Sequence, residues 1–598
     1  MKKLPSKKIW IAISVLLAII LLVILCVRLV PNSNADIDPT VPDATEATKS
    51  ELRIPDLLGI AKAIKGNLLS ALQDIKQNDL ESAREKLNTV QSDVGSVRAF
   101  MEKMPFLINL IPQAENIYEL LNAANTAISE IVFPAIDLLE TRPLSELRAG
   151  DGFDTRLLCD YIDFLESVIP NLEKLLEAAN AMNLSLLDSE GNITEALETA
   201  NKLLADYHEN PKILSMFKTM LGAQEDRTYL IAVQNPSEIR ASGGFPGFMG
   251  LLQIEDGILT LGKFESVSKF LTTWTPKDIQ ITKEESALFH YLSSIRTPRD
   301  ADLCPDFERV GHIWASSYEE RHKVPLSGVI SITPHIVQRL LAVLDTEIEL
   351  SDGLVLNGEN AIKVLIHDIY FKYYDRRHLH PDRSVISDAL FAEAAEKTME
   401  KLTDNFSSHL MEYFPVMKDS IDDRTLILWM RDEEEQSFII DMGWNGSLNK
   451  DPQNPEAGVY VNVVSASKMG WFLLMDTEIG DRTKNADGSY TYPITVTLSN
   501  NITQEEIDAA ATYISGGLGG AMRTVVYFFA PAGGNVDNFT ATNGQNIPIK
   551  TYNNMHLGFM DQFLLKPDTP VTITYTVTTA PGVDTPLVIS KTPTAQQS

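Results

Sequence analysis

The sequence predicts a multi-domain chain. An N-terminal transmembrane helix is followed by an all-α helical bundle, an α/β domain with a mixed sheet, and a C-terminal β-sandwich. Three features predict it. One uninterrupted apolar run lies near the start. Apolar residues then recur at three- and four-residue steps to about residue 220. After residue 226 short apolar runs take over, first alternating with helical stretches and then with turns. The chain has 598 residues, room for about three or four domains at roughly 100–200 residues each. Apolar residues make up 44%, enough for each domain to bury a core. The net charge of −30 repels nucleic acid and anionic lipid over most of the surface, so nucleic acid is excluded as a partner.

Residues 1–8 read as a cytoplasmic tail and 9–30, IWIAISVLLAIILLVILCVRLV, as the anchor. A helix of about 20 apolar residues crosses a bilayer. Lys2, Lys3, Lys7 and Lys8 precede the run and hold the N-terminus in the cytoplasm. Arg28 lies near the far end, where it can snorkel. The expected location is the plasma membrane, single-pass, with the bulk of the chain extracellular. A cleaved signal peptide fits less well: the apolar core is longer than the usual roughly 7–15 residues, and no A-x-A-like site precedes Asn32. Cys26 follows Leu25 rather than a small residue, which argues against a lipoprotein. Outside the membrane, Cys159 and Cys304 either pair or remain two buried thiols; the spacing does not choose.

Residues 31–50 form a polar, proline-containing linker. The bundle occupies 51–222. Leu57, Ile60, Ala61, Ile64, Leu68, Leu72 and Ile75 mark one helical face, and Leu80, Ala83, Leu87, Val90, Val94 and Val97 mark the next. Asn78 or Asp79 is placed to cap the second helix. Further helices are expected over 113–141, 155–181, 193–208 and 211–221, and their short connections favour antiparallel packing.

The α/β domain is expected over 226–477. Strands are predicted at 229–233, 248–254, 258–264 and 327–332, with helices at 283–293, 307–322, 334–344, 358–373 and 383–403. The "EDG" at 255–257 is a hairpin signal. The third domain, 478–590, alternates apolar and polar residues and is rich in Thr, Val and Tyr, as a small β-sandwich would be. Residues 591–598 read as a frayed tail.

Two places carry candidate chemistry. The first is the loop QNPSEIRASGGFPG, with Asn235, Glu238, Arg240, Gly243, Gly244 and Gly247. Its backbone amides and Arg240 can cradle an anion at a strand end. The plainer alternative is a structural turn with Glu238 and Arg240 paired to each other. The second is DRRHLHPDR, 375–383, where Arg376, Arg377 and Arg383 precede a helix in an otherwise acidic protein. That suits a phosphate or carboxylate, or is a solvated loop that neutralises its acidic neighbours. His378-x-His380-x-Asp382 has too few ligands for a metal, and Arg383 follows directly. No nucleotide-binding P-loop, H-E-x-x-H or G-x-S-x-G motif occurs in the sequence.

The run from "LGAQEDRTYLIAVQNPSEIRASGGFPGFMG" to "LLQIEDGILTL" resembles the hallmark of the bacterial DUF4012 family. "SGVISITPHIVQRLLAVLD", "LNGENAIKVLIHDIY", "EYFPVM", "EEEQSFIIDMGWNGSL" and "VNVVSASKMGWF" resemble its later blocks. Asn462 and Lys468 match that last block; Lys468 either adds a cation to the site or packs. The resemblance implies one membrane helix, a Gram-positive host and a setting near surface-polysaccharide genes. It brings no catalytic residue. A weaker resemblance, to the LytR-CpsA-Psr family, rests on Arg240 in the first loop and on DRRHLHPDR before a later helix. Asn235 stands where that family has a metal-binding Asp, and Ala241 to Gly244 replaces its Arg-x-Asp pair.

These readings predict a cell-envelope protein that binds or presents a surface glycopolymer or its polyprenyl-phosphate-linked precursor through Arg240, Arg376, Arg377 and Arg383, with no cofactor. A glycopolymer phosphotransferase is the alternative, using Mg²⁺ on Glu238, Asp300 or Asp382. A structural or sensory ectodomain that meets an envelope protein partner is the third.

Overall fold

The structure, a computed structural model, describes residues 54–77, 79–103, 114–150, 152–181, 192–271, 276, 279–405 and 409–596. The predicted cytoplasmic tail, the 9–30 span and the 31–50 linker lie outside the described residues. Among the described residues no helix is long and apolar enough to cross a membrane. The chain divides into two compact units, 1–225 and 226–598.

The first unit is helical, as its periodicity predicts. Helices α1 (Ile54–Lys76) and α2 (Leu80–Lys103) are joined by a tight turn. Ile64, Leu68 and Ile75 of the first, and Leu87, Val90 and Val94 of the second, are buried in one core. Asp79 Oδ1 accepts from Ser82 N at 3.1 Å, the capping contact expected there. Helix α3 (Ala114–Ala127) runs through a π-helical turn at Ile128–Val132 into a helix over Phe133–Thr141. Helices α4 (Thr155–Asn180), α5 (Asn192–Glu209) and α6 (Ile213–Met220) complete the unit. Asp154 caps α4 through Arg156 N. Cys159 and Cys304 are both free, buried thiols.

The second unit opens with strands β1 (Arg227–Asn235), β2 (Phe245–Glu255) and β3 (Ile258–Leu261). Asp256 and Gly257 take positive φ of 49° and 74° in the predicted hairpin turn. Helix α7 (Phe307–His322) leads to β4 (Gly328–Ile332), which pairs parallel with β1. A strand not expected from the sequence, β5 (Leu426–Met430), pairs antiparallel with β4 and makes the sheet mixed. Helices α8 (His335–Leu344), α9 (Arg383–Asn405), α10 (Leu410–Asp422) and α11 (Glu433–Asp441) flank it in sequence. The expected 358–373 helix forms as Ala361–Lys363 and Ile369–Tyr373 joined by a π-helical turn at Val364–Asp368.

The β-sandwich is present but begins earlier than 478. Its strands are β6 (Glu456–Val463), β7 (Leu473–Ile479), β8 (Tyr490–Asn500), β9 (Met522–Phe529), β10 (Asn535–Ala541), β11 (Ile549–Tyr552), β12 (Met555–Leu565), β13 (Val571–Thr578) and β14 (Val588–Lys591). They form two sheets, β11-β12-β9-β6-β14 and β7-β8-β13-β10. Ala457 to Val463 is buried on both faces, so the alternation that marks a half-exposed strand is missing there. One face of this sheet (Val459, Val461, Phe528) packs into the sandwich. The other (Tyr460, Tyr527, Phe529) shares a core with Phe289, Phe307 and Trp314 of the α/β region. The expected boundary at 477/478 therefore runs through a continuous apolar interior. Nor is the expected tail frayed through its described part. Thr592 Oγ1 donates to Ala241 O at 2.9 Å and accepts from Val461 N at 2.9 Å.

Candidate functional site

The glycine-rich loop is a turn that the rest of the unit ties down. Asn235 Oδ1 accepts from Ser237 N at 3.0 Å and opens a short 3₁₀ turn over Pro236–Glu238. Ala241 N donates to Asn462 Oδ1 at 2.8 Å, and Asn462 Nδ2 donates on to Leu303 O at 2.9 Å. Ser242 N donates to Asp302 O, and Gly243 N to Arg240 O. The amides of Ser237, Ala241, Ser242 and Gly243 are therefore spent within the fold, which removes them from the anion cradle the sequence suggested. Glycine is required at 243, where φ is 137° and an added Cβ would lie 2.5 Å from Gln234 Oε1. At 244 a Cβ would lie 2.4 Å from Asn235 O. Gly247, by contrast, sits in β2 with only Val233 O at 4.0 Å.

Arg240 is 3% exposed, so it does not reach out to capture an anion. Nor does it pair with Glu238. Its Nη1 donates to Ile239 O at 3.2 Å and Val463 O at 3.3 Å. Nη2 lies 3.6 Å from Asp300 Oδ1, Nε lies 3.9 Å from Asp302 Oδ1, and the guanidinium sits over the Phe245 ring. Both Asp302 oxygens are buried without a hydrogen-bond partner among the described residues. Burial pushes the Asp302 carboxyl well above the carboxylate range, against the pull of Arg240. The guanidinium thus faces two buried acidic side chains, Asp300 and Asp302, and burial works against the charged form of Asp302. Asp300 does lie beside Arg240, as the phosphotransferase alternative needs, but both are closed off from solvent.

Glu238 turns to Lys468 instead. The two form a direct ion pair that links the loop to the 3₁₀ turn over Met469–Phe472. Lys468 is 6% exposed, and its ammonium lies 4.8 Å from the Tyr370 ring centroid and 5.2 Å from that of Tyr513. Burial alone would lower the lysine pKa. The Glu238 carboxylate and the two tyrosines override it and hold the ammonium well above its usual value. Asn235 Nδ2 donates to Tyr370 OH at 2.7 Å, which brings a second loop residue onto this cluster.

The basic segment meets the same cluster from its other end. Tyr374 stacks on Tyr513 at 4.5 Å with an 18° interplanar angle. The Arg383 guanidinium lies 5.6 Å from the Tyr374 ring centroid. Backbone pairing sets this arrangement: Arg376 N donates to Ala509 O at 2.7 Å and Ala511 N to Tyr374 O at 3.2 Å. Tyr374 is buried, whereas Tyr513 is 48% exposed. Arg383 is half-buried, donates to His380 O, and makes no ion pair among the described residues. Arg376 and Arg377 remain exposed and already paired, Arg376 with Asp508 at 3.6 Å and Arg377 with both oxygens of Asp375. Exposed pairs of this kind add little to stability. Replacing both arginines with alanine is expected to leave the thermal unfolding midpoint within error of wild type.

Of the predicted site residues, then, Asn235, Glu238 and Arg383 converge on one aromatic cluster. Arg240 is a buried structural charge, and Arg376 and Arg377 are neutralised at the surface. Sequence reasoning missed Tyr370, Tyr374 and Tyr513, which carry no local signal beyond their aromatic rings. No curated protein and no solved structure matches this chain. Residues 224–370, which contain β1, the glycine loop and Tyr370, match the model of a family described as a protein of unknown function, DUF4012.

Proposed function

We propose that this protein is a single-pass, membrane-anchored component of the bacterial cell envelope whose extracytoplasmic part binds an anionic surface glycopolymer or its lipid-linked precursor. The anchor is the 9–30 run. The reading rests on one observation above all: an exposed Tyr513 ring stacked on Tyr374, with Lys468 against Tyr513 and Arg383 against Tyr374. An aromatic face offers a platform for the apolar side of a sugar ring. A nearby arginine without a carboxylate partner serves a phosphodiester or carboxylate on the same polymer. In a protein of net charge −30, such a local cation is where an anionic chain would settle.

The test is a titration of the full chain in lipid nanodiscs with a wall teichoic-type glycopolymer and, separately, with undecaprenyl phosphate. Tyr513→Ala and Arg383→Ala are each expected to weaken polymer binding by about tenfold, or ~1.4 kcal/mol. Raising the salt should weaken wild-type binding further. Undiminished affinity in both variants would refute the platform. Binding of undecaprenyl phosphate but not of polymer would assign the precursor.

A further inference from the structure

Both nitrogens of one imidazole face carboxylates. His367 lies in the π-helical turn Val364–Asp368, which runs directly into Ile369–Tyr373. Its Nδ1 is 2.7 Å from Asp368 Oδ1, and its Nε2 is 3.1 Å from Glu506 Oε1, 139 positions along the chain. The imidazole is 11% exposed, and the two carboxylates are 28% and 25% exposed. The ring stacks on Phe371 at 4.6 Å and meets Trp471 and Phe472 of the Met469–Phe472 turn at 5.4 and 5.7 Å.

The partners dictate the charge of the ring. Burial works against both carboxylates. Hydrogen bonds from His367 and Lys363 nevertheless hold Asp368 below its usual pKa, and those from Thr503 and His367 do the same for Glu506. An ionised carboxylate only accepts hydrogen bonds, and a neutral imidazole donates from one nitrogen only. The imidazolium alone satisfies both contacts together. Lys363, on the same stretch of helix, lies 2.6 Å from the same Asp368 oxygen. On the facing helix, Asp508 pairs with Arg376 and Glu505 bears on Arg377. None of the residues in the Met469–Phe472 turn titrates.

What these contacts hold together is the pair of segments whose rings stack. Glu506 belongs to the helix Gln504–Ala509, and its Oε2 accepts from Thr503 N at 2.8 Å. Past that point come the backbone bonds to the basic segment, Arg376 N to Ala509 O and Ala511 N to Tyr374 O. Tyr513 follows in the turn Thr512–Ser515. His367 itself is continuous with the helix that ends at Tyr374.

We infer that His367 is a positioning residue of the tyrosine platform: as the imidazolium it clasps the segment of Tyr370 and Tyr374 to the segment of Tyr513, so the platform is closed in mild acid and loosens as rising pH removes the proton. The functional meaning of this clasp rests on the platform reading above; its geometry does not.

Hydrogen exchange of the ligand-free full chain in lipid nanodiscs, read by mass spectrometry on peptides spanning 510–515, tests the clasp without any polymer. Histidine changes charge between about pH 5 and about pH 8. Across that range, after correction for the intrinsic pH dependence of exchange, protection is expected to fall about tenfold, as one charge-assisted hydrogen bond is lost. Glu506→Gln should reverse the profile. Its amide oxygen keeps the Thr503 contact, and its amide nitrogen donates to Nε2 of the neutral ring, so protection rises with pH. His367→Gln should give a flat profile. Glu506→Gln keeps the helix cap, so it reports even if His367→Gln fails to fold. A flat wild-type profile, or a fall in protection that survives either substitution, would overturn the clasp. Titration with the teichoic-type polymer in the same nanodiscs separates the two readings. The expected exchange profile with no polymer bound at any pH would leave the clasp standing and refute the platform's ligand.

Discussion

Replacing Arg240 with methionine will destabilise the 226–598 unit by about 3–5 kcal/mol at neutral pH, because it leaves buried carboxylates without their counter-charge. The guanidinium is 3% exposed and faces Asp300 at 3.6 Å and Asp302 at 3.9 Å. It also caps the carbonyls of Ile239 and Val463. Methionine fills much of the volume and supplies none of the donors. The deficit should depend on pH. Burial raises the folded-state pKa of Asp302 above its unfolded value, so its stabilising contribution is complete below about pH 4 and is lost as pH rises toward the folded value. As the pH falls toward that range, protonation of Asp302 removes part of the charge that Arg240 had balanced, and the gap between variant and wild type should narrow. Denaturant unfolding of both proteins at neutral and mildly acid pH measures it. Adding Asp300→Asn to Arg240→Met should recover part of the loss. A pH-independent deficit under about 1 kcal/mol would show that the cluster carries no such charge balance.

That Arg240 is structural was not legible from its surroundings in sequence. Glycines, a proline and a lone arginine after a strand look the same whether the amides face a ligand or the protein. The hairpin at Asp256-Gly257 was legible because its backbone angles are a local matter. So was the α1–α2 pair, since helical periodicity is complete within each segment. The fate of Arg240 was settled by Asp302 and Val463, and that of Glu238 by Lys468, 230 positions away. β6 hid for a related reason: both of its faces are covered, so its sequence carries no alternation. The basic segment 375–383 was visible, but Asp375 and Asp508 quench two of its arginines. Tyr513, exposed beside that segment, lies in the unremarkable run AATYIS and acquires meaning only once Tyr374 stacks beneath it.

Lys468 is where loop and platform meet, and Lys468→Met is expected to damage both. Removing the ammonium leaves Glu238 with no cation in a site where the pair had been 6% and 17% exposed. Breaking such a pair from one side costs about 3 kcal/mol, the lower end for a buried ion pair, since Glu238 keeps some contact with solvent. The rings of Tyr370 and Tyr513 also lose the cation lying 4.8 and 5.2 Å from their centroids, a contact worth about 0.5–2 kcal/mol. Without it Tyr513 keeps its stack on Tyr374 and its tilted contact with Tyr370 but loses the cation that ties it to the loop, so polymer binding should fall further than in Arg383→Ala. The pH dependence has the opposite sense to that of Arg240. The folded-state pKa of Lys468 lies above its unfolded value, so its contribution is intact below about pH 10.4 and is lost as pH climbs through the folded value. The stability gap between Lys468→Met and wild type should therefore be flat from neutral to mildly alkaline pH and close only in strong alkali. Lys468→Arg should restore the charge but not the fit, since a planar fork replaces a compact ammonium between two rings. It should unfold at a midpoint between the other two. If Lys468→Met unfolds with wild-type stability and still binds polymer, the ammonium is not what joins the 235–238 turn to the tyrosines, and the proposed platform loses its support from below.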